Sequence, residues 1–244
     1  MRSRTRIVIV GAGIGGLATA LALHRKGFDV TLYEQAAGIQ PLGVGINLLP
    51  HAVGVLDALG LRDALAATAI DAGALVFMNR HGQRILTDPR GIAAGYEHPQ
   101  YSIHRGELQM ILYQAARKRL PEGALFTNHH LERFEETSNG VRAHFIDRRT
   151  GTPLAPHDGS VLIAADGIHS TVRARFYPNE GPPIWNGAIM WRGVTRGRPF
   201  LDGRTMIMAG HEFQKFVCYP ISKSAFDRGD AVINWIAEIK GKPD

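Results

Sequence analysis

The order of hydrophobic patterns predicts an α/β fold with a second, antiparallel β layer, and three observations carry it. The apolar run Ile7-Val8-Ile9-Val10 passes directly into Gly11-Ala12-Gly13-Ile14-Gly15-Gly16 and then into helical spacing at Leu17, Leu21 and Leu23, a strand, turn and helix in succession. A second apolar run, Val161 to Ala165, ends at Asp166-Gly167 ahead of a short helical stretch from Ser170 to Phe176. Beyond Pro178 the texture changes to alternating aromatic and branched residues over Ile189 to Val194, Phe213 to Pro220 and Ala231 to Glu238, the period of strands in a layer stacked on the first unit.

The glycine run is the fingerprint of a Rossmann-like dinucleotide site. Gly11 allows a tight turn, Gly13 lets the backbone approach a diphosphate, and Gly16 permits close helix-strand packing. The diphosphate would rest on the free N–H groups and positive dipole end of the helix opened by Ile14 and Gly15. Glu34 follows the next strand, Val30-Thr31-Leu32-Tyr33, at the spacing where a carboxylate accepts hydrogen bonds from ribose hydroxyls and repels a 2′-phosphate. The alternatives are a ligand-free glycine turn and a surface glutamate.

Size and composition bound the rest. A chain of 244 residues can form one large domain or two modest ones with a sizeable core. The expected division is a nucleotide-binding domain over 1–70 and 100–178 and a β-sheet portion over 71–99 and 179–244. A single cysteine, Cys218, excludes an intrachain disulfide framework and fits a small core residue in a reducing, cytoplasmic compartment. The net charge of +6 is scattered, so it reads as a solvated basic surface attractive to anionic substrates rather than a nucleic-acid groove. The basic Met1 to Arg6 followed by apolar residues to Leu23 imitates a secretory signal, but the fingerprint glycines interrupt that run. No stretch is long and apolar enough for a membrane span, and no metal site is expected.

Between the two anchors, Gly38 to Asn47 reads as a glycine-rich loop. A helix follows from Pro50 through Val53, Leu56 and Leu59 to a stop at Gly60, with a second short one over Leu61 to Ala67. Ala74 to Leu86 reads as short strands around a turn at Asn79 to Gly82, and Asp88 to Gln100 as a loop. Helical period returns just after Arg105 in Glu107, Leu108, Ile111, Leu112, Ala115 and Ala116. Leu131 to Glu136 and Val141 to Ile146 form a predicted hairpin around Asn139-Gly140, and Val161 to Ala165 a fully buried strand. Asp230 reads as a turn residue ahead of a strand.

With these residues in place, the chain resembles the FAD-dependent aromatic hydroxylases, single-component flavoprotein monooxygenases of the para-hydroxybenzoate hydroxylase type, and among them those that hydroxylate phenazines. The resemblance rests on Gly11 to Leu23, Pro41-Leu-Gly-Val-Gly-Ile-Asn47, Ala64 to Ile70, Pro99-Gln-Tyr-Ser-Ile-His-Arg-Gly-Glu-Leu-Gln-Met-Ile-Leu112, Ala165-Asp-Gly-Ile-His-Ser-Thr-Val-Arg173, Met190-Trp-Arg-Gly-Val194 and Phe200 to Ile207. It implies a FAD-binding domain of the glutathione reductase type with an antiparallel substrate layer. It also implies a further Gly-Asp motif downstream of Asp244, so that the chain is incomplete at its C-terminus.

The activity implied is hydroxylation of an aromatic or phenazine-like carboxylate with NAD(P)H and O2 through a flavin C4a-hydroperoxide, the cofactor carrying the chemistry. A non-catalytic FAD-binding module is the competing reading. The implied cofactor residues are Gly11, Gly13, Ile14, Gly15, Gly16, Glu34, Gln35, Val44, Gly45, Arg105, Gln109, Leu131, Asp166 and Gly167. Arg105, at a helix start, offers a fork of donors to FAD oxygens, with Gln109 one turn on. Asp166 would organise the diphosphate through water, since a bare carboxylate repels phosphate; its other reading is a helix cap, with Ser170 the better cap. His169 needs no catalytic role. Gly43 to Asn47 would lie beside the isoalloxazine, glycines giving the ring room to move. The substrate floor falls to Trp191, Tyr219 and Met208, with Gly45 at the flavin and core packing as the alternative. Arg192 would meet a substrate carboxylate, but strand alternation forbids it and Trp191 from facing one pocket together. A homodimer is the implied assembly.

Overall fold

The computed structural model describes residues 5–241. In chain order the elements are β1 (Arg6–Val10), α1 (Ile14–Arg25), β2 (Asp29–Tyr33), β3 (Gly45–Leu48), α2 (Pro50–Ala58), α3 (Arg62–Thr68), β4 (Ile70–Asp71) and β5 (Ala74–Met78). There follow β6 (Arg84–Pro89), a 3-10 turn over Gly91–Ala94, β7 (Tyr101–His104), α4 (Arg105–Arg119), β8 (Leu125–Phe126), β9 (His130–Thr137), β10 (Gly140–Ile146) and β11 (His157–Gly159). The last are β12 (Val161–Ala164), α5 (Thr171–Phe176), β13 (Ala188–Gly197), β14 (Met206–His211), β15 (Gln214–Pro220), α6 (Lys223–Asp227) and β16 (Ala231–Lys240).

The chain divides into two compact units, residues 1–40 with 109–182 and residues 41–108 with 183–244. Residues 41–70 and 100–108, expected in the nucleotide domain, group with the second unit. β3 and β4 both hydrogen-bond to β7 in one three-stranded sheet, and this sheet is joined to the later strands, as where the Gly45 N–H donates to Asn234 Oδ1.

In the first unit a parallel sheet runs β12-β1-β2-β8, with Ile9 opposite both Ile163 and Leu32. β1 is central and buried from Ile7 to Val10, as expected of a parallel strand covered on both faces. The helix α1 buries Gly16, Leu17, Ala20 and Leu21, the i, i+4 stripe that faces a sheet. The predicted hairpin is present as β9 and β10, with β11 completing an antiparallel sheet. Val8, Val10, Tyr33, Leu131, Ala143, Phe145 and Val172 form one apolar cluster, and Tyr33 stacks on both Phe126 and Phe145. The expectation of a fully buried strand at 161–165 is corrected: β12 stops at Ala164 and Val161 is 46% exposed. Among the described residues β12 pairs only with β1, so it is an edge strand with one side open.

The second unit is built on a six-stranded sheet ordered β13-β16-β15-β14-β5-β6. It is antiparallel except at β14 and β5, which run parallel. The strand β14 lies in a stretch for which no element was predicted; Gly210 and the run Met206-Ile-Met-Ala have no strict alternation to reveal it. β3 occupies part of the predicted loop 38–47, and β6 runs into the predicted loop 88–100, because each finds a ladder partner in β7 and β5. The turn ahead of β16 falls on Arg228 and Gly229, and Asp230, expected as a turn residue, follows it directly before the strand. Cys218 is only partly buried, not core, although burial still raises its thiol to about 11.

Candidate cofactor site

The first unit carries a cavity of about 510 Å3, within the range of small-molecule sites. It opens at the carboxyl ends of the parallel strands: Val10 and Gly11 after β1, Glu34 and Gln35 after β2, and Ala165, Asp166 and Gly167 after β12 all line it. That is the edge where open α/β sheets bind ligands.

The glycines of the first turn answer to different neighbours. Gly11 has φ +100, and a Cβ there would lie 2.2 Å from the Ala165 carbonyl oxygen. A Cβ on Gly16 would come within 1.8 Å of the Gly11 carbonyl oxygen, so helix, turn and both strands meet backbone to backbone. Gly13 and Gly15 face open space, with nothing within 4 Å. Gly13 is the N-cap of α1, which has no side-chain cap and no acidic residue in its first turn. No protein atom accounts for a glycine at 13, whereas a phosphate drawn to uncapped N–H groups does. The turn therefore fits a dinucleotide diphosphate.

Glu34 sits half-buried at the cavity wall. Its Oε2 accepts the Ala12 N–H at 2.8 Å and its Oε1 the Ala36 N–H at 2.9 Å, so the carboxylate is fixed on the glycine turn with one lone pair per oxygen left for a ribose. Gln109 donates from Nε2 to the Ala12 carbonyl at 3.0 Å, which ties α4 to the same turn. Asp166 accepts the Ser170 hydroxyl at 2.7 Å and the Val172 N–H at 3.3 Å, while Ser170 caps α5 by accepting from Arg173 N–H. Asp166 thus braces the cap and also lines the cavity. Gly167 and His169 are exposed there.

Leu131 and Gln35 also line the cavity. So do Arg148, His129, His130 and Thr171, none of which the sequence pattern singled out. His129 and His130 arrive through β8, whose Phe126 pairs with Tyr33 and carries the chain along Glu34: His129 N–H donates to the Glu34 carbonyl at 2.8 Å. A two-residue strand gives no periodicity to read, and that is why this wall was missed. Among the described residues no group of His, Cys, Asp and Glu is arranged to hold a metal ion.

The remaining expected residues lie in the second unit. Arg105 opens α4, its side chain exposed, and its N–H donates to the Val44 carbonyl at 2.8 Å. Gly43, φ +116, lies against the Arg105 side chain. Gly45 lies in a strand and not in the predicted loop. It begins β3, its N–H donates to Asn234 Oδ1 at 2.7 Å, and a Cβ there would lie 2.7 Å from both Asn234 and Tyr219. Tyr219 is 3% exposed and belongs to an apolar cluster with Ala72, Leu75, Met206 and Ile221; burial raises its hydroxyl above the ordinary range.

The proposed substrate floor is divided by strand register. Tyr219 pairs with Asn234, Asn234 with Val194, and Ile236 with Arg192, which places Tyr219, Asn234 and Arg192 on one face of the sheet. Met208, opposite Val217, shares it. Trp191, opposite Ala237, is on the other face and 52% exposed. Trp191 and Tyr219 therefore lie on opposite faces of this sheet, and Arg192 shares the face of Tyr219.

Residues 4–181 match the family described as FAD binding domain. The chain is 45% identical over 239 residues to the phenazine 1,6-dicarboxylic acid hydroxylase PhzS of Lysobacter antibioticus, covering 97% of this chain and 59% of that protein. It is 39% identical over 192 residues to the 3-amino-4-hydroxybenzoate 2-monooxygenase of Streptomyces cremeus, covering 78% of this chain and 46% of the relative. The structure of Klebsiella pneumoniae HpxO complexed with FAD and uric acid superimposes with a TM-score of 0.78 at 21% identity, over 100% of this chain and 58% of that one. The chain thus spans about half to three fifths of the length of these proteins. No helix among the described residues is long and apolar enough to cross a membrane. A match through most of the chain, with the glycine turn, Glu34 and Asp166 gathered at one strand-end cavity, means that this chain belongs to the FAD binding domain family.

Proposed function

We propose that the protein is an FAD-dependent monooxygenase that hydroxylates an aromatic or phenazine-like carboxylate with NAD(P)H and O2. The observation that carries this reading is the cavity built by Gly13, Glu34 and Asp166 at the strand ends, together with relatives that are named as hydroxylases of aromatic acids. FAD would supply the redox and oxygen chemistry.

The chain's own residues do the positioning. The α1 amides and Gly13 receive the diphosphate, and Glu34 holds the ribose while its charge disfavours a 2′-phosphate. Arg105 provides cationic donors, and its backbone fixes the Val44 carbonyl. On the second unit's sheet, Arg192 is the group suited to a substrate carboxylate, a planar fork that binds such an anion through two hydrogen bonds. Tyr219 and Met208 supply its apolar surroundings. Carboxylate recognition, the nicotinamide cofactor, a dimeric state and a cytoplasmic setting all belong to this proposal.

The test is spectroscopic first. Purified protein mixed with FAD and desalted should keep the flavin band near roughly 450 nm, and aromatic carboxylates should then stimulate oxidation of NADH or NADPH with incorporation of oxygen into the ring. Retained flavin without stimulated oxidation by any aromatic acid would favour a non-catalytic FAD-binding module instead.

A further inference from the structure

Arg148 lines the strand-end cavity of the first unit and is not used by the reading above. Its side chain is exposed, and among the described residues no carboxylate pairs with it. The turn that carries it is nevertheless tightly held. The Asp147 carbonyl accepts the Gly151 N–H at 2.8 Å, and the Asp147 N–H donates to the Thr152 carbonyl at 2.9 Å. Its Oδ1 accepts the Arg149 and Thr150 N–H groups at 2.9 Å each. The other carboxylate oxygen, Oδ2, accepts from Asn128 Nδ2.

Asn128 joins this turn to the strand ends. Its backbone N–H donates to the Ala36 carbonyl at 2.8 Å, and the Ala36 N–H donates in turn to Glu34 Oε1 at 2.9 Å. Hydrogen bonds thus run without a break from Glu34 through Ala36 and Asn128 to Asp147, and they set the Arg148 turn relative to the Glu34 carboxylate. Asn128 has φ +59, a left-handed backbone that asparagine tolerates better than most residues. Glycine would meet that backbone need more easily, but it has no amide to reach Asp147.

The sheet order β12-β1-β2-β8 gives the cavity a direction. A diphosphate rests on the turn after β1 and a ribose on Glu34 after β2, so the base attached to that ribose falls on the β8 side. There the lining is His129, His130 and Arg148. No Phe, Tyr or Trp lines the cavity, and Arg148 is its one Arg or Lys. A guanidinium stacks on an aromatic face and is attracted by it. We propose that Arg148 covers the adenine of the dinucleotide, and that Asn128 is a positioning residue that holds the Arg148 turn in place through Asp147. The inference rests on the FAD reading, and every residue it uses belongs to the first unit.

The experiment titrates FAD into the full-length protein by flavin fluorescence and then competes ADP and UDP against it. The two nucleotides share ribose and diphosphate and differ in the base. Three variants are compared: Arg148→Leu removes the guanidinium, Arg148→Lys keeps the charge without the plane, and Asn128→Gly keeps the backbone and removes the amide. For Arg148→Leu, FAD and ADP affinities about tenfold lower are expected, with UDP lowered by about threefold at most. Arg148→Lys should retain most of the ADP loss. Asn128→Gly should show part of it with the same preference for one base, whereas a merely structural defect would weaken ADP and UDP alike. Equal losses for ADP and UDP in Arg148→Leu, restored by lysine, would assign Arg148 to the diphosphate and overturn the proposal, as would wild-type ADP affinity in Arg148→Leu. Wild-type ADP affinity in Asn128→Gly would overturn the part given to Asn128. A wild type that takes up neither FAD nor ADP would overturn the FAD reading and this inference with it, an outcome distinct from those in which only the variants decide.

Discussion

Two glycine stretches, Gly11 to Gly16 in the first unit and Gly43 to Gly45 in the second, use the same residue against different neighbours. At Gly11 and Gly16 the missing Cβ would strike backbone, the Ala165 and Gly11 carbonyl oxygens. At Gly45 it would strike side chains, Asn234 and Tyr219. Backbone of a packed sheet cannot yield, whereas side chains can change rotamer at a smaller cost. Gly13 has no neighbour at all. The first stretch is thus a rigid frame around one open position, and the second a joint whose setting depends on what packs on it.

The sharpest way to break that comparison is Gly16→Ala. A Cβ 1.8 Å from the Gly11 carbonyl oxygen forces α1 away from β1, and we expect a loss of about 3 kcal/mol or more, the upper end of overpacking costs, read by urea unfolding. Stability within about 0.5 kcal/mol of wild type would show that the frame is not rigid. Gly45→Ala comes next. Its contacts of 2.7 Å are with the Asn234 side chain and the Tyr219 ring edge, which can shift in part, so a cost of about 1–2 kcal/mol is expected. A cost equal to that of Gly16→Ala would erase the distinction between the two stretches.

Gly13→Ala separates fold from function. Its backbone, φ −69 and ψ −178, suits any residue, so unfolding should move by less than about 1 kcal/mol, the scale of a changed N-cap. FAD binding should nevertheless weaken by about tenfold or more, because a methyl group would stand where a phosphate approaches, equivalent to about 1.4 kcal/mol. Titration of flavin fluorescence checks this, and unaltered affinity would remove Gly13 from the site.

Much of this was legible in the sequence, and what was not has a physical reason. The frame is local: β1, the turn and α1 are contiguous, Gly11 and Gly16 allow the tight turn and close helix-strand packing that their spacing implies, and Gly13 faces open space. The hairpin predicted around Asn139-Gly140, whose turn falls one residue earlier at Ser138 and Asn139 because Gly140 already pairs with Thr137, and the Ser170 cap are local too. The joint is non-local. Gly45 meets Asn234 across 189 residues, and no short-range pattern reports such a pairing. Register has the same character. Alternation shows that Trp191 and Arg192 part company, but only the pairing of β13, β16 and β15 shows that Arg192 goes with Tyr219. The cavity wall at His129 and His130 depended on β8, two residues long, and too short to leave a period.

The smallest expected effect distinguishes the interiors of the two units by pH. In the first, His157 lies beside Tyr33 and Phe126, ring centroids 4.9 Å and 5.4 Å apart. Burial, and secondly the charge of His129, hold it below its ordinary 6.5, with Asp158 opposing. The folded state therefore binds this proton less readily than the unfolded chain. As pH falls through about 6.5 the unfolded state takes up more protons and stability declines, until pH passes below the folded value and the decline ends. Above about 6.5 neither state is charged there and His157 costs nothing. His157→Gln should flatten the stability profile between pH 7 and pH 5 by roughly a few tenths of a kcal/mol, since a partly exposed ring feels only part of the desolvation. Asn234, a buried polar side chain of the second unit, has no proton to exchange, so Asn234→Leu should shift its stability equally at both ends of that window. An Asn234→Leu shift that itself varied across the window would mean that the polar interior of the second unit is coupled to a titrating group, and that Gly45 is held by more than one neutral hydrogen bond.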